Sequence, residues 1–182
     1  MSYIVFAVRV LILFAALAGY AVTIYQRWKI NLAFVPLITI SGVTVCLFAA
    51  GLLNILIPTV ILLTAGGLVL FVIGLIHICK GRLSVRGLLT PGTVFFLLLS
   101  LYFFMLLRGV SYPHYDNFSH WGTVLQEMDY FNSFPDARSI VLFRNYPPGT
   151  ATFLFYVCKI IGYSESNALM AQGLLIAAAL TP

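Results

Sequence analysis

ILIPTVILLTAGGLVLFVIGLIHI, residues 55–78, carries no charged side chain. A helix rises about 1.5 Å per residue, so roughly 20 apolar residues cross the hydrocarbon core of a bilayer, and this stretch is long enough. Three segments beside it read the same way: about 4–25, 32–53 and 88–110. A shorter apolar segment follows at about 148–161, and a sixth begins near Ala168. The sixth has about a dozen apolar residues before Pro182, too few to span, so the chain reads as truncated within it. Composition agrees, with 62% apolar and 8% charged residues, whereas soluble domains carry roughly 25% charged residues. The expected fold is all-α, a polytopic membrane helical bundle. Residues 1–110 form four transmembrane helices, 111–147 an outer loop, and 148–182 a fifth helix and the start of a sixth.

The net charge of +5 is not a nucleic-acid footprint, because the few Lys and Arg sit at the ends of apolar segments, where they set topology. No nucleic-acid partner is expected, and oligomeric state is not legible. Arg27 and Lys29 lie between segments one and two, and Lys80, Arg82 and Arg86 between three and four. Basic loops stay cytoplasmic, which puts the N-terminus and the 111–147 loop outside. Lys159 then returns to the cytoplasmic side, and Arg9 snorkels outward. The expected location is a bacterial plasma membrane, with the bilayer itself as a partner. Pro36, Pro58 and Pro91 fall near helix starts, where a missing N–H costs nothing. Gly66, Gly67 and Gly74 suit close helix packing, and His77 reads as interfacial. Cys46, Cys79 and Cys158 lie in or beside apolar segments, which argues against a disulfide framework or a zinc site.

The polar chemistry gathers in Tyr115-Asp116-Asn117-Phe118-Ser119-His120-Trp121-Gly122, with Tyr146-Pro147-Pro148-Gly149 following. Phe118, Trp121, Val124, Leu125 and Met128 form a helical stripe. Such an amphipathic helix lies flat at the membrane surface with Phe118 and Trp121 dipping inward, capped by Asp116 or Asn117. Asp116 has two readings, a cap and a general base that takes a proton from an attacking hydroxyl. His114, Asp116 and His120 also suit a divalent metal, magnesium or manganese; histidines held at the interface are the alternative. His120 has a further reading as support for a phosphate oxygen. Arg138 and Arg144 suit phosphate through their guanidinium forks, or else pair with nearby acids. Trp121, Pro147, Pro148 and Gly149 have sound structural roles, the prolines setting where the next helix begins.

Those motifs, with Glu127-Met128 and Phe134-Pro135, resemble the GT-C superfamily of membrane glycosyltransferases over about residues 111–175. In protein mannosyltransferases and aminoarabinose transferases an acidic residue opens an extracytoplasmic loop, a juxtamembrane helix follows, and a Pro-Pro element begins the next span. The resemblance implies transfer of a sugar from a polyprenyl-phosphate donor to an extracytoplasmic acceptor. Asp116 would be the base, with His120, Arg138, Arg144 and Tyr146 contacting substrate. Three departures stand out. Four segments precede the acid instead of one, Asn117 replaces a second acid, and later spans are missing, so the chain alone is a candidate for an inactive N-terminal part. A transporter or flippase, or a polymerase, of lipid-linked saccharides are the alternative functions.

Overall fold

A computed structural model of the chain describes residues 3–141 and 146–182, and among them the fold is entirely helical. The helices are α1 (Tyr3–Trp28), α2 (Val35–Leu52), α3 (Leu56–Cys79), α4 (Val85–Leu88), α5 (Pro91–Leu107), α6 (Tyr115–Ser119), α7 (Trp121–Phe131), α8 (Gly149–Ile161) and α9 (Glu165–Leu180). Among the described residues, three helices are long and apolar enough to cross a membrane: α1, α2 and α3. The fourth expected span is shorter than its apolar run. Thr90 caps α5, accepting a hydrogen bond from the Thr93 N–H, and Pro91 opens the helix. Its 17 residues stand at the lower end of the spanning range.

Hairpins join α1 to α2 and α2 to α3, so α1 and α3 run parallel. Their contact is backbone on backbone. A Cβ on Gly67 would lie 2.5 Å from the Ala16 carbonyl oxygen, and one on Gly19 would collide with the Gly67 carbonyl. The small residues therefore do what their sequence position suggested, letting two helices approach where lipid offers no hydrophobic drive to associate. Polar groups finish the seam. The Tyr20 hydroxyl donates to the Leu63 carbonyl at 2.8 Å, and His77 Nδ1 lies 3.2 Å from Gln26 Oε1. His77 is thus a packing residue of the α1–α3 pair.

α5 lies at the periphery with no buried residue and packs antiparallel on α9, where a Cβ on Gly173 would meet Phe103. Ser164 caps α9 by accepting from the Asn167 N–H at 3.1 Å, so this helix starts three residues earlier than the apolar run. The centre of the fold is α8, in which nine of 13 residues are buried, among them Phe153, Phe155 and Tyr156. A helix apolar on all sides belongs inside a protein or a membrane. This one touches α1, α2, α7 and α9, so protein encloses it. All three cysteines are free thiols.

Two ends of the bundle differ. One gathers the α1–α2 loop, the α3–α5 connection and Gly92, whose Cβ would lie 2.9 Å from Ala33 Cβ. The other gathers the end of α2, the end of α5 and the α8–α9 turn. There Ser166 Oγ accepts from the Gly109 N–H at 2.8 Å and donates to the Leu107 carbonyl at 3.0 Å. The phenyl ring of Phe134 fills the space over Gly51 and lies 5.6 Å from that of Phe48, tilted by 44°, so the polar loop folds back on this end of α2.

Candidate functional site

The loop helix is two helices. His114, in extended conformation, opens α6, and its Nδ1 accepts from the Asp116 N–H at 3.3 Å. The cap is therefore His114, and neither Asp116 nor Asn117. Asp116 stands in the first turn, exposed, with Oδ2 3.5 Å from His114 Nδ1, while Asn117 is buried. The chain breaks at His120 (φ −127°, ψ −110°) before α7 begins. Gly122 sits against the Asn117 carbonyl, where any Cβ would collide, so the sharp junction needs glycine.

The break changes which side chains share a face. Val124, Leu125 and Met128 are buried and Trp121 half-buried, as the stripe predicted, but they dock on α8 and not on lipid. Phe118 is rotated off the stripe and exposed. α7 runs alongside α8 in the same direction. His120, Trp121 and Val124 meet Pro147–Ala151 at one end, and Asp129 meets Lys159 at the other. A surface-lying helix perpendicular to α8 is not what forms, because α8 offers the stripe an apolar partner within the chain.

The break also separates Asp116 from His120, whose four-residue spacing would share a face only on one continuous helix. His120 turns into a cleft of about 150 Å³ walled by Trp121, Tyr146, Pro147, Pro148 and Gly149, its ring 6.3 Å from that of Tyr146. Pro148 is the N-cap residue of α8, and open space surrounds the Gly149 Cβ position. Among the described residues no group of three or more His, Cys, Asp or Glu is placed to hold a metal ion. His114, Asp116 and His120 are accordingly not assembled as a ligand set: the first two adjoin and the third faces Tyr146.

Of the two arginines assigned to phosphate, Arg144 lies outside the described residues. Arg138 is exposed and bound to Asp136, Nη2 to Oδ2 at 2.7 Å and Nε at 3.2 Å. That hydrogen bond, with the carboxylate charge behind it, raises the guanidinium pKa further. The pair lines a second cleft of about 370 Å³ with Glu127, Phe134 and Ser139.

Sequence reasoning missed the residues that hold the loop down. The Glu127 carboxylate accepts from the Ser139 hydroxyl and from the Ile140 N–H at 2.9 Å. The Tyr112 N–H donates to Glu165 Oε2 at 2.8 Å, and its ring packs edge-on to Trp121 at 5.3 Å. Burial pushes the Tyr112 hydroxyl far above the ordinary phenol range, with the nearby Tyr163 hydroxyl adding to it. Lys159 Nζ lies 3.0 Å from Asp129 Oδ1 and donates to the Asp129 carbonyl at 2.7 Å. Lys159 is therefore tied to the loop, and does not stand on a face remote from it. The hydrogen-bonded partners lie 12 to 53 residues apart, so no local spacing announces them.

Two expected results follow. Hydrogen bonds to a charged group contribute roughly 1.5–3 kcal/mol, so Glu127→Ala should free residues 133–141. Limited proteolysis should cut there at least about tenfold faster than in the wild type, a factor equivalent to ~1.4 kcal/mol. Breaking a buried ion pair costs about 3–5 kcal/mol. Asp129 and Lys159 keep 25% and 20% of their side chains exposed, so screening reduces the expected cost of Lys159→Met to about 2 kcal/mol. Adding Asp129→Asn should recover part of it, as a double-mutant cycle followed by thermal unfolding in detergent would show.

No protein-family model matches the chain, and no match is found among curated proteins or among solved structures.

Proposed function

We propose that the chain is a membrane glycosyltransferase of the GT-C kind, or the N-terminal part of one, moving a sugar from a polyprenyl-phosphate donor to an acceptor outside a bacterial plasma membrane. One observation supports this above the others. His120-Trp121 and Tyr146-Pro147-Pro148-Gly149, the motifs that carry the resemblance, wall one cleft although 25 residues separate His120 from Tyr146. Asp116 stands exposed one short helix away. Three helices of the same fold are long and apolar enough to cross a membrane, which supports a site at the bilayer surface, where an isoprenoid tail stays in hydrocarbon while its phosphosugar meets polar groups.

In this reading the acceptor oxygen attacks the anomeric carbon, the bond from that carbon to the phosphate oxygen breaks, and the lipid phosphate leaves with the electron pair. Asp116 takes the acceptor's proton. His120 and the Tyr146 hydroxyl hold the donor in the cleft, and Arg144 supplies charge to the departing phosphate. Arg138 is less suited, because Asp136 already neutralises it. His114, Asp116 and His120 do not converge among the described residues, so a metal held by those three is no part of this reading.

The test uses membranes carrying the full-length protein, a labelled polyprenyl-phosphate sugar and an added acceptor. Transfer by the wild type and its loss in Asp116→Asn, at equal membrane insertion, is the expected result. Undiminished transfer by the variant would remove Asp116 from the mechanism.

A further inference from the structure

We propose that the groove between α1, α2 and α5 holds an acyl chain of an anionic phospholipid, whose phosphate lies among the cations at the adjoining end of the bundle. The groove is about 240 Å³, and its walls include Phe14, Val22, Leu32, Pro36, Phe96 and Leu97. Its two hydroxyls are already engaged. Thr39 Oγ1 donates to the Val35 carbonyl at 2.8 Å, and Thr93 Oγ1 shares a hydrogen bond with Thr90 Oγ1 at 3.0 Å. Nothing inside the groove is left to recognise a polar ligand, so hydrocarbon is what fits it, and any headgroup must sit at the rim.

The rim is basic. Leu32 follows Lys29 by three residues and Leu88, another wall residue, follows Arg86 by two. Arg27, Lys80 and Arg82 belong to the same end, and all five cations are exposed. Among the described residues none of them makes an ion pair. The sequence explains why: its five acids are Asp116, Glu127, Asp129, Asp136 and Glu165, so no carboxylate precedes residue 116. Basic loops alone would satisfy the topology rule. An apolar slot opening between helices beside cations with no carboxylate partner adds a place where one lipid is held by both its chain and its phosphate.

The occupant is a phospholipid of the surrounding leaflet, and not the proposed glycosyl donor. The groove lies at the end where α1 finishes and α5 begins, whereas the loop carrying the His120–Tyr146 cleft is strapped to the opposite end of α5. The inference is therefore independent of the functional reading.

Delipidated protein in neutral detergent, titrated with phosphatidylglycerol or phosphatidylcholine of identical chains and followed by native mass spectrometry, provides the test. Phosphatidylglycerol should bind at least about tenfold more tightly, since each Lys or Arg near an anionic surface contributes ~1 kcal/mol, close to a factor of five. Lys29→Ala with Arg86→Ala should weaken phosphatidylglycerol by about 25-fold and leave phosphatidylcholine unchanged. Both positions are exposed, so the fold survives the change. Ala21→Phe, which fills the groove, should reduce binding of both lipids. Equal affinity for the two lipids, phosphatidylglycerol binding indifferent to the double variant or to Ala21→Phe, or tighter binding of a polyprenyl phosphate would each overturn the proposal.

Discussion

Gly67→Leu is expected to abolish the native bundle while leaving insertion into the membrane intact. The Cβ would meet the Ala16 carbonyl oxygen at 2.5 Å and the Ala16 Cα at 2.9 Å. These are backbone atoms of a facing helix, so no flexible side chain can swing aside. Overpacking a core costs about 1–3 kcal/mol when neighbours repack, and more when they cannot, so a loss of at least ~3 kcal/mol is expected here. Leucine also raises the hydropathy of α3, so the effect cannot come from poorer insertion. Gly42 is the control. Nothing lies within 4 Å of its Cβ position, and Gly42→Ala should be neutral or stabilise by up to ~1 kcal/mol through helix propensity. Unfolding in mixed micelles with increasing dodecyl sulfate separates the two variants. Equal midpoints for Gly67→Leu and wild type would show that α1 and α3 do not pack in this way.

For the proposed sugar transfer, Asp116→Asn carries the largest expected effect. General-base catalysis typically contributes about 10²–10⁴-fold in rate, and asparagine preserves shape while removing the ability to take a proton. A residue serving only to begin α6 would behave differently, because the helix is opened by the His114 side chain accepting from the Asp116 backbone N–H, which asparagine retains. Transfer should therefore fall by at least ~10²-fold with the unfolding midpoint unchanged. Tyr146→Phe and His120→Ala should act instead on donor binding, raising KM, since both line the cleft. A loss of stability in Asp116→Asn matching its loss of transfer would assign the residue to structure.

Much of the architecture was legible because hydropathy is a local property. Residues 55–78 form α3 within one residue of the segment read from composition alone, and α1 and α2 likewise coincide with apolar runs bounded by Arg27, Lys29 and Asn54. The contacts of Gly67 followed from the same logic, since small residues in an apolar helix have few other uses. The loop was harder. Its stripe from Trp121 to Met128 was readable as a helical face, but its extension to Phe118 failed at His120, where backbone angles and not side-chain pattern end the face. Pro147 and Pro148 marked the start of α8 correctly, yet Gly149 proved to have open space around it. The Arg138 pairing with Asp136 was one of two stated possibilities, decided by a two-residue turn.

Sequence by itself determined which long apolar segments are helical and where the polar groups concentrate, because each depends on neighbours within a few turns; it marked four segments before residue 111 as spans, of which three form helices long and apolar enough to cross a membrane. Tertiary structure alone decided that α8 is enclosed by protein, that the stripe of α7 docks on it, that Lys159 meets Asp129, and that His120 faces Tyr146. An apolar surface is satisfied equally by lipid or by another helix, and a charge by any opposite charge within reach. Only the packing of distant segments selects between partners that chemistry alone leaves equivalent.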